Sequence, residues 1–596
     1  MRIEKKLHSE ISAAIKNIYN QEADLSKIQI QKTRKEFSGD FTVVVFMLLA
    51  YSKKSPEQTA SDLGEYLKAN VTEVEDYNVV KGFLNISLTH KFWIDFFAEC
   101  FSQDNFGFTS TEANSKKVVI EYSSPNTNKP LHLGHIRNNL IGHSVSQILK
   151  ACGNEVVQVN LVNDRGIHIC KSMVAWEETG MGETPEQNGI KGDRLVGNYY
   201  VRFDQEYKKQ IAELVAGGMP EEQAKEEADW MKKARNMLKK WERGNQKILD
   251  TWKMMNDWVY EGFDKTYADL GIRFDKMYYE SQTYLHGKSI VLKGLKQGDL
   301  KQKPDGTVFL DLTEYGMDEK VLLRADGTSV YMTQDIGTAV IRYDDFKFEE
   351  MIYVVGNEQD YHFKVLSIVL DKLEFPWSNR LTHLSYGMVE LPEGKMKSRE
   401  GTVVDADELI EEMIQTARSN SEELGKLEGF STEETDKIHK IIALGALKYF
   451  ILKVDSKKNI TFNPKESIDF NGNTGPFIQY TGARINSLLK KASEEKFIQN
   501  PAFTDQNLSA GEISLIKLFY TFPDSVQEAG DKRNPSEIAS YVYELAKEFN
   551  RLYQELPILK EENAASKNLR IALATKTGLI LKSALSLLGI EVPERM

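Results

Sequence analysis

Residues 118–135 read VVIEYSSPNTNKPLHLGH, and the change of pattern inside this stretch decides the fold. Val118, Val119 and Ile120 make a short apolar run of the kind that forms a strand buried on both faces. SSPNTNKP is polar and punctuated by proline, which marks a loop. Ile136, Leu140, Ile141, Val145, Ile148 and Leu149 then recur at helical spacing, and Gly153 can end the helix. Val156 to Val162 (VVQVNLV) is strand-like again. Strand, loop, helix and strand in that order predict a parallel sheet with a right-handed crossover, hence an α/β domain.

Toward the C-terminus, residues 180–262 interrupt this pattern. They are highly charged (PEEQAKEEADWMKKARNMLKKWERGNQK near the centre) and read as helical hairpins inserted into the fold. Sheet signals resume at Val308 to Leu312 and Met351 to Val355, with an Asp326-Gly327 turn between short runs, and Leu384 to Val389 closes the region. From residue 405 onward, Ile438 to Leu452, Ile513 to Phe522, Ile538 to Leu552 and Leu569 to Leu588 carry apolar residues at helix spacing, which predicts a helix bundle. Residues 1–110 mix helical segments, starting with Ile3, Leu7, Ile11, Ile15 and Ile18, with the apolar run Phe41 to Leu49. They read as a small α+β domain. The expected domains are therefore 1–110, 111–404 and 405–596.

A chain of 596 residues is too long for one hydrophobic core, which agrees with several domains. Hydrophobic residues at 41% and charged residues at 28% are ordinary for a folded soluble protein. No run of about 18 apolar residues occurs, so no membrane span is expected, and the first residues do not read as a signal peptide. Three cysteines without a CxxC pair argue against a disulfide framework and predict a reducing, cytoplasmic setting. The net charge of −12 weighs mildly against a nucleic-acid partner, but an acidic body can carry a local basic face.

His132-Leu133-Gly134-His135 stands where the first strand hands over to the helix. In an open parallel sheet, ligands bind at the strands' carboxyl ends, beside helix N-termini whose N–H groups attract phosphate. Gly134 lets a flat ring approach the backbone. Two histidines three apart share one face of the first turn and can donate hydrogen bonds to phosphate oxygens as negative charge builds there. The plainer readings are two solvated histidines or a metal-binding pair. Zinc needs four ligands, and no second ligand pair stands nearby, so no structural zinc and no protein-held metal is expected. Gly394-Lys395-Met396-Lys397-Ser398-Arg399-Glu400-Gly401 is a glycine-bounded cationic loop past the last sheet strand. Such a loop can close over pyrophosphate as its charge develops, though in isolation it reads as a solvated loop.

EYSSPNTNKPLHLGH resembles the first signature of class I aminoacyl-tRNA synthetases, and SPN-x-x-KP-x-H-x-GH is most similar to the arginyl-tRNA synthetase family. The resemblance implies a Rossmann-like catalytic domain in which His132, Gly134 and His135 bind ATP. The lysine loop resembles the second signature, KMSKS. Lys395, Met396 and Gly401 fit, whereas Lys397 and Ser398 replace the signature's Ser and Lys. The resemblance makes Lys395 catalytic, places Met396, Lys397 and Ser398 at ATP, and implies that Lys129 supplies the missing charge.

A pocket that selects arginine must meet a planar cation with carboxylates placed for paired hydrogen bonds. Tyr331-Met332-Thr333-Gln334-Asp335-Ile336-Gly337 resembles the family's pocket segment, with Tyr331 and Asp335 on one helix face. Glu280 in YYESQ, Glu121 and Asn126 around SSP, and Gln359 in GNEQDYHF match further pocket positions, and His362 and Asn163-Asp164 are candidates to line the same cleft. Taken singly, each has a structural reading: Asp335 as an N-cap, Tyr331 as a core aromatic, Glu280 as a surface acid, Asn126 as a turn residue.

FNGNTGPFIQYTGARINSLLKKA, from Phe470, resembles the start of the family's helical anticodon-binding domain, and LLGIEVPERM resembles its end. Tyr480 and Arg484, four apart on one helix face, can stack a base and meet a phosphate, or can be a core aromatic beside a solvated cation. FSGDF resembles a mark of the family's N-terminal domain, which works near the outer corner of tRNA. The implied activity is arginine–tRNA ligation with ATP and Mg²⁺, by a monomer that needs tRNA(Arg) bound before it activates L-arginine. The rivals are a class I synthetase of other specificity, a small-molecule nucleotidyltransferase sharing the HxGH element, and a catalytically silent tRNA-binding paralogue.

Overall fold

Five parallel strands form the centre of the larger of two units: β1 (Lys117–Glu121), β2 (Glu155–Val162), β3 (Lys276–Tyr279), β4 (Glu350–Gly356) and β5 (Leu381–Tyr386). Their spatial order is β3-β2-β1-β4-β5. The order reverses direction between β1 and β4, the switch point at which an open α/β sheet leaves a crevice. The computed structural model describes residues 2–34, 36–112, 114–390, 392, 404–423, 430–495, 503 and 507–596. Residues 394–401, and with them Lys395, Met396, Lys397 and Ser398, lie outside the described residues.

The strand–loop–helix–strand reading holds: β1 leads to helix α1 (Leu133–Ala151), and the chain turns back through Gly153, at φ +88°, into β2. Between β2 and β3 stand the helices of the insertion, running from Ile167–Thr179 through Gly192–Ala216 and Asp229–Glu242 to Gln246–Leu270. Val308–Leu310 forms a strand as expected. It belongs to a separate three-stranded antiparallel sheet with Lys301–Gln302 and Lys320–Leu323, not to the parallel one. Three residues are too few to cross the core, and a tight turn at Gly306 pairs the strand locally instead.

One face of the parallel sheet is covered by α2 (Glu280–Gln297), α3 (Tyr331–Phe346) and α4 (Asp360–Lys372), which share a core of Val119, Val159, Ile336, Met351, Val365, Val369 and Trp377. Helices α2 and α3 meet backbone to backbone. A Cβ at Gly287 would lie 1.7 Å from the Thr333 carbonyl oxygen, and one at Gly337 would lie 2.4 Å from the Gly287 nitrogen. Only glycine fits at both places, and this contact brings the start of α3 beside the start of α2.

The larger unit comprises residues 107–487, 522–546 and 578–596, and the smaller one residues 1–106, 488–521 and 547–577. The smaller unit holds a four-stranded antiparallel sheet with the helices Ile3–Tyr19, Pro56–Asn70 and His90–Phe101. The apolar run at 41–49 splits there into a strand, Phe41–Val44, and a short 3₁₀ turn, Val45–Leu48. The first three C-terminal helical runs lie within the helices Thr432–Leu452, Ala510–Lys532 and Ser536–Glu555, and the fourth, Leu569 to Leu588, ends one residue past the helix Ala564–Leu587. No helix among the described residues is long and apolar enough to cross a membrane.

Candidate active site

The chain leaves β1 through Ser123 and Ser124, both with positive φ (77° and 46°). Non-glycine residues adopt this backbone only where the surroundings hold it, and such strain gathers at functional sites. Here the Ser123 N–H donates to the Asn138 side chain, the Ser124 N–H donates to Asn160 Oδ1 at 3.0 Å, and the Ser124 hydroxyl donates to Glu121 at 3.0 Å.

His132 is the N-cap of α1 and His135 its third residue. Gly134 N–H donates to His132 Nδ1 at 3.1 Å, and His132 N–H donates to His135 Nδ1 at 3.2 Å. The imidazoles thus satisfy helix-start N–H groups, as Ser and Glu do in an ordinary capping box. With both Nδ1 atoms accepting, the proton of each neutral ring sits on Nε2. Burial, with Lys129 beside it, pushes His132 down to about 3, and burial drives His135 well below its usual range. Both rings are neutral donors at pH 7. A Cβ at Gly134 would come within 3.0 Å of the His132 ring, so the flat ring that this glycine admits is His132's own.

Above these rings opens a cavity of about 350 Å³, lined by Ser123, Ser124, His132, Gly134, His135, Asn138, Val354, Val355, Tyr386, Met388 and Val389. It spans the ends of β1, β4 and β5, over the switch point. Asn138, which the sequence reading missed, donates to the Val354 carbonyl at 2.7 Å and to Tyr386 Oη at 3.1 Å. Its one available signal was a polar residue on the buried face of α1. Lys129 lies just outside, its pKa lowered by burial. The described segment after the lysine loop is tied to the histidines: Ala406 N–H donates to the Leu131 carbonyl at 2.9 Å, and Leu133 N–H to the Val404 carbonyl at 3.3 Å. On the other side Val389 pairs in parallel with Ile460. The described residues that flank the lysine loop, Val389 before it and Val404 to Ala406 after it, therefore both stand beside the HxGH element.

A second cavity, of about 590 Å³, opens at the β2 and β3 side. Asn126, Asn163, Arg165, Glu280, Tyr284, Tyr331 and Gln334 are among its lining residues. Asp335 stands next to Glu280, and its Oδ2 accepts a hydrogen bond from His362 Nε2 at 2.6 Å. Burial, then the neighbouring Asp335 and Asp164, raise Glu280 to about 8. The cavity wall mixes the cations Arg165, Arg235, Lys239, Lys288 and Arg324 with Glu242 and Glu280, and its acidic end is Glu280, with Asp335 beside it, where a cationic group can be received.

Not every candidate faces a cavity. Glu121 is buried and ion-paired with Arg342 of α3, whose guanidinium also lies 5.2 Å from the Tyr278 ring. Asp164 accepts from the Ser281 N–H at 2.8 Å and from its hydroxyl at 2.6 Å, pinning the start of α2. Gln359 is exposed at the N-terminus of α4. Arg484 lies 4.9 Å over the Tyr480 ring, on helix Gly475–Glu494.

A five-stranded sheet of this order, with an HxGH helix cap under its switch point and a second pocket beside it, is the arrangement of a class I aminoacyl-tRNA synthetase, and the match to that class's catalytic-domain model separates it from other nucleotidyltransferases. Family models agree along the chain: "tRNA synthetases class I (R), catalytic domain" matches residues 98–463, "DALR anticodon binding domain" residues 478–596, and "Arginyl tRNA synthetase N terminal domain" residues 5–88. The chain belongs to the arginyl-tRNA synthetase family. It is 56% identical over 598 residues to an arginine–tRNA ligase of Bacteroides fragilis and 53% identical over 597 residues to that of Porphyromonas gingivalis, each alignment covering 100% of both chains. The arginyl-tRNA synthetase of Thermus thermophilus shares the fold with a TM-score of 0.75 at 23% identity, over 100% of both chains. That of Plasmodium falciparum does so with a TM-score of 0.76 at 20% identity, over 100% of this chain and 99% of the other.

Proposed function

We infer that this chain is an arginine–tRNA ligase, which activates L-arginine with ATP and transfers it to the 3′-terminal adenosine of tRNA(Arg). The observation that carries the reading is the adjacency of two unlike cavities at the strand ends of one sheet. One has neutral imidazole donors at a helix N-terminus; the other is lined by Glu280, with a second carboxyl group, Asp335, close beside it.

In the first step ATP lies over the switch point, and His132 and His135 donate from Nε2 to its phosphate oxygens. The arginine side chain enters the second cavity at its acidic end, where Asp335, Glu280 and Tyr331 receive the guanidinium, with Asn126 near the α-amino and carboxylate end. The carboxylate oxygen attacks the α-phosphorus, the bond to the bridging oxygen breaks, and pyrophosphate leaves with the electron pair. Lys129 and the loop residues Lys395 and Lys397 neutralise the leaving charge, with Met396 and Ser398 against the nucleotide. In the second step a ribose hydroxyl of the terminal adenosine attacks the adenylate's carbonyl carbon, and AMP departs. Positioning and electrostatics suffice for both steps, without a protein nucleophile.

Mg²⁺ enters with the triphosphate as part of the substrate. Among the described residues no group of three or more His, Cys, Asp or Glu side chains would hold an ion alone. Tyr480 and Arg484 are the proposed tRNA contacts on the anticodon side. One chain carries every candidate residue, so the reading works for a monomer.

Amino-acid-dependent ATP–pyrophosphate exchange, with and without tRNA, tests the reading. Exchange with arginine that requires tRNA is expected. Exchange with another amino acid and not arginine overturns the substrate, and tRNA binding without exchange for any amino acid overturns the activity.

A further inference from the structure

We infer that His362 is a positioning residue for arginine selection: its hydrogen bond holds the Asp335 carboxylate in the orientation that receives the guanidinium. The inference rests on the reading of Asp335 as an arginine ligand.

Asp335 sits one turn into α3 and is about one-third exposed, so its own helix does not fix the carboxylate plane. An aspartate held only by its backbone swings about χ1 and χ2, and a carboxylate pointed at a planar fork of donors must hold both angles. His362 supplies the missing constraint from a different element, α4, with Nε2 at 2.6 Å from Oδ2.

The imidazole is itself held. It packs edge-on against Phe363, with ring centroids 5.6 Å apart and planes at 85°. Phe363 in turn lies against Tyr353 of β4 and His383 of β5, at 4.8 Å and 4.6 Å. His383 is anchored by the Val355 carbonyl at 3.0 Å. A chain of packed rings thus runs from the sheet to Asp335. The need for it is local: the side chain of Asp335 stands close enough to Glu280 for its charge to help raise that carboxyl's pKa. Without a donor on Oδ2, the protonated Glu280 could itself donate to Asp335 and turn the carboxylate away from the incoming guanidinium. A carboxylate oxygen has two lone pairs, so the hydrogen bond from His362 leaves both oxygens able to accept from the guanidinium.

The test uses the full chain with tRNA present and compares His362→Leu, His362→Gln and Asp335→Asn in arginine-dependent pyrophosphate exchange, with melting temperature measured alongside. Gln places an amide N–H near the position of Nε2; Leu keeps the bulk without a donor. The expected result is a KM for arginine raised about tenfold to a hundredfold in His362→Leu, the loss typical of one hydrogen bond to a charged group. Its kcat and melting temperature stay near wild type, and His362→Gln recovers most of the KM. If His362→Leu leaves the KM unchanged while Asp335→Asn raises it, the inference fails and the reading of Asp335 stands. If Asp335→Asn also leaves the KM unchanged, the reading of the pocket fails with it. Loss of kcat and melting temperature together in His362→Leu, without recovery in His362→Gln, assigns the histidine to the fold alone and overturns the inference.

Discussion

His132 and His135 cap one helix through each other's reach: the backbone N–H of the first donates to the Nδ1 of the second at 3.2 Å, and their ring centroids lie 3.9 Å apart. Each ring has one nitrogen committed to the backbone and one left for substrate. The two jobs separate by substitution. His135→Asn keeps an acceptor where Nδ1 stood and removes the outward donor; His135→Gln does the reverse. His135→Asn should melt within a few degrees of wild type yet lower kcat for adenylate formation by about a hundredfold or more, the usual cost of one transition-state donor. His135→Gln should show the smaller kinetic loss and the larger thermal one. Gly134→Ala, which pushes a methyl into the His132 ring, should lower kcat with little change in the arginine KM.

Burial depresses His132 to about 3, whereas in the unfolded chain it titrates near the ordinary value of about 6.5. A histidine kept neutral by the fold takes up a proton on unfolding, so its stabilising contribution is present above that ordinary value. It is lost as pH falls toward the depressed one. Relative to His132→Asn, which cannot titrate, the wild type should lose on the order of 2 kcal/mol between pH 7 and pH 4.5. Urea midpoints across that range measure it. A pH-independent gap would show that the ring is not desolvated.

Glu280, raised to about 8 by burial and by its acidic neighbours, is mostly protonated at pH 7 before substrate arrives. A guanidinium beside it favours the ionised form, so arginine binding should release a proton. Calorimetry at pH 7 in two buffers of different ionisation enthalpy should detect between about half a proton and one proton per site. Affinity should climb from pH 6 to pH 8 and level off above, and Glu280→Gln should abolish both effects.

Arg342 and Glu121 form an ion pair sealed from solvent under the sheet. Arg342→Met strands a buried carboxylate and should cost about 3–5 kcal/mol in stability. Adding Glu121→Gln to it should recover part of that loss. If Glu121→Gln alone raises the arginine KM while melting unchanged, the residue serves substrate and not the pair.

The sheet, its crossover and the HxGH cap were legible because each rests on local pattern: an apolar triplet, a proline-marked loop, helical spacing, and a motif at their junction. The helices of the C-terminal half were legible for the same reason. What escaped depends on distant partners. Nothing around Glu121 says that an arginine of α3 will claim it. Nothing in Asn163-Asp164 says that the aspartate will pin the start of α2. Val308–Leu310 has strand character, but strand character does not say which sheet a strand joins. The use of histidine Nδ1 atoms as helix caps was hidden too, since His is not among the usual capping residues.

Because β1 lies between β2 and β4, its Val118 pairs with Glu350 and its Glu121 with Tyr353. A ribosome making this chain releases β1 and β2 early, then the entire insertion, and only afterwards the strand that covers β1's second edge. Throughout that interval an apolar parallel strand has an unpaired row of amides facing outward, an invitation to aggregate. Nascent chains stalled before residue 350 should therefore lean on chaperones, and those stalled once β5 has emerged should not.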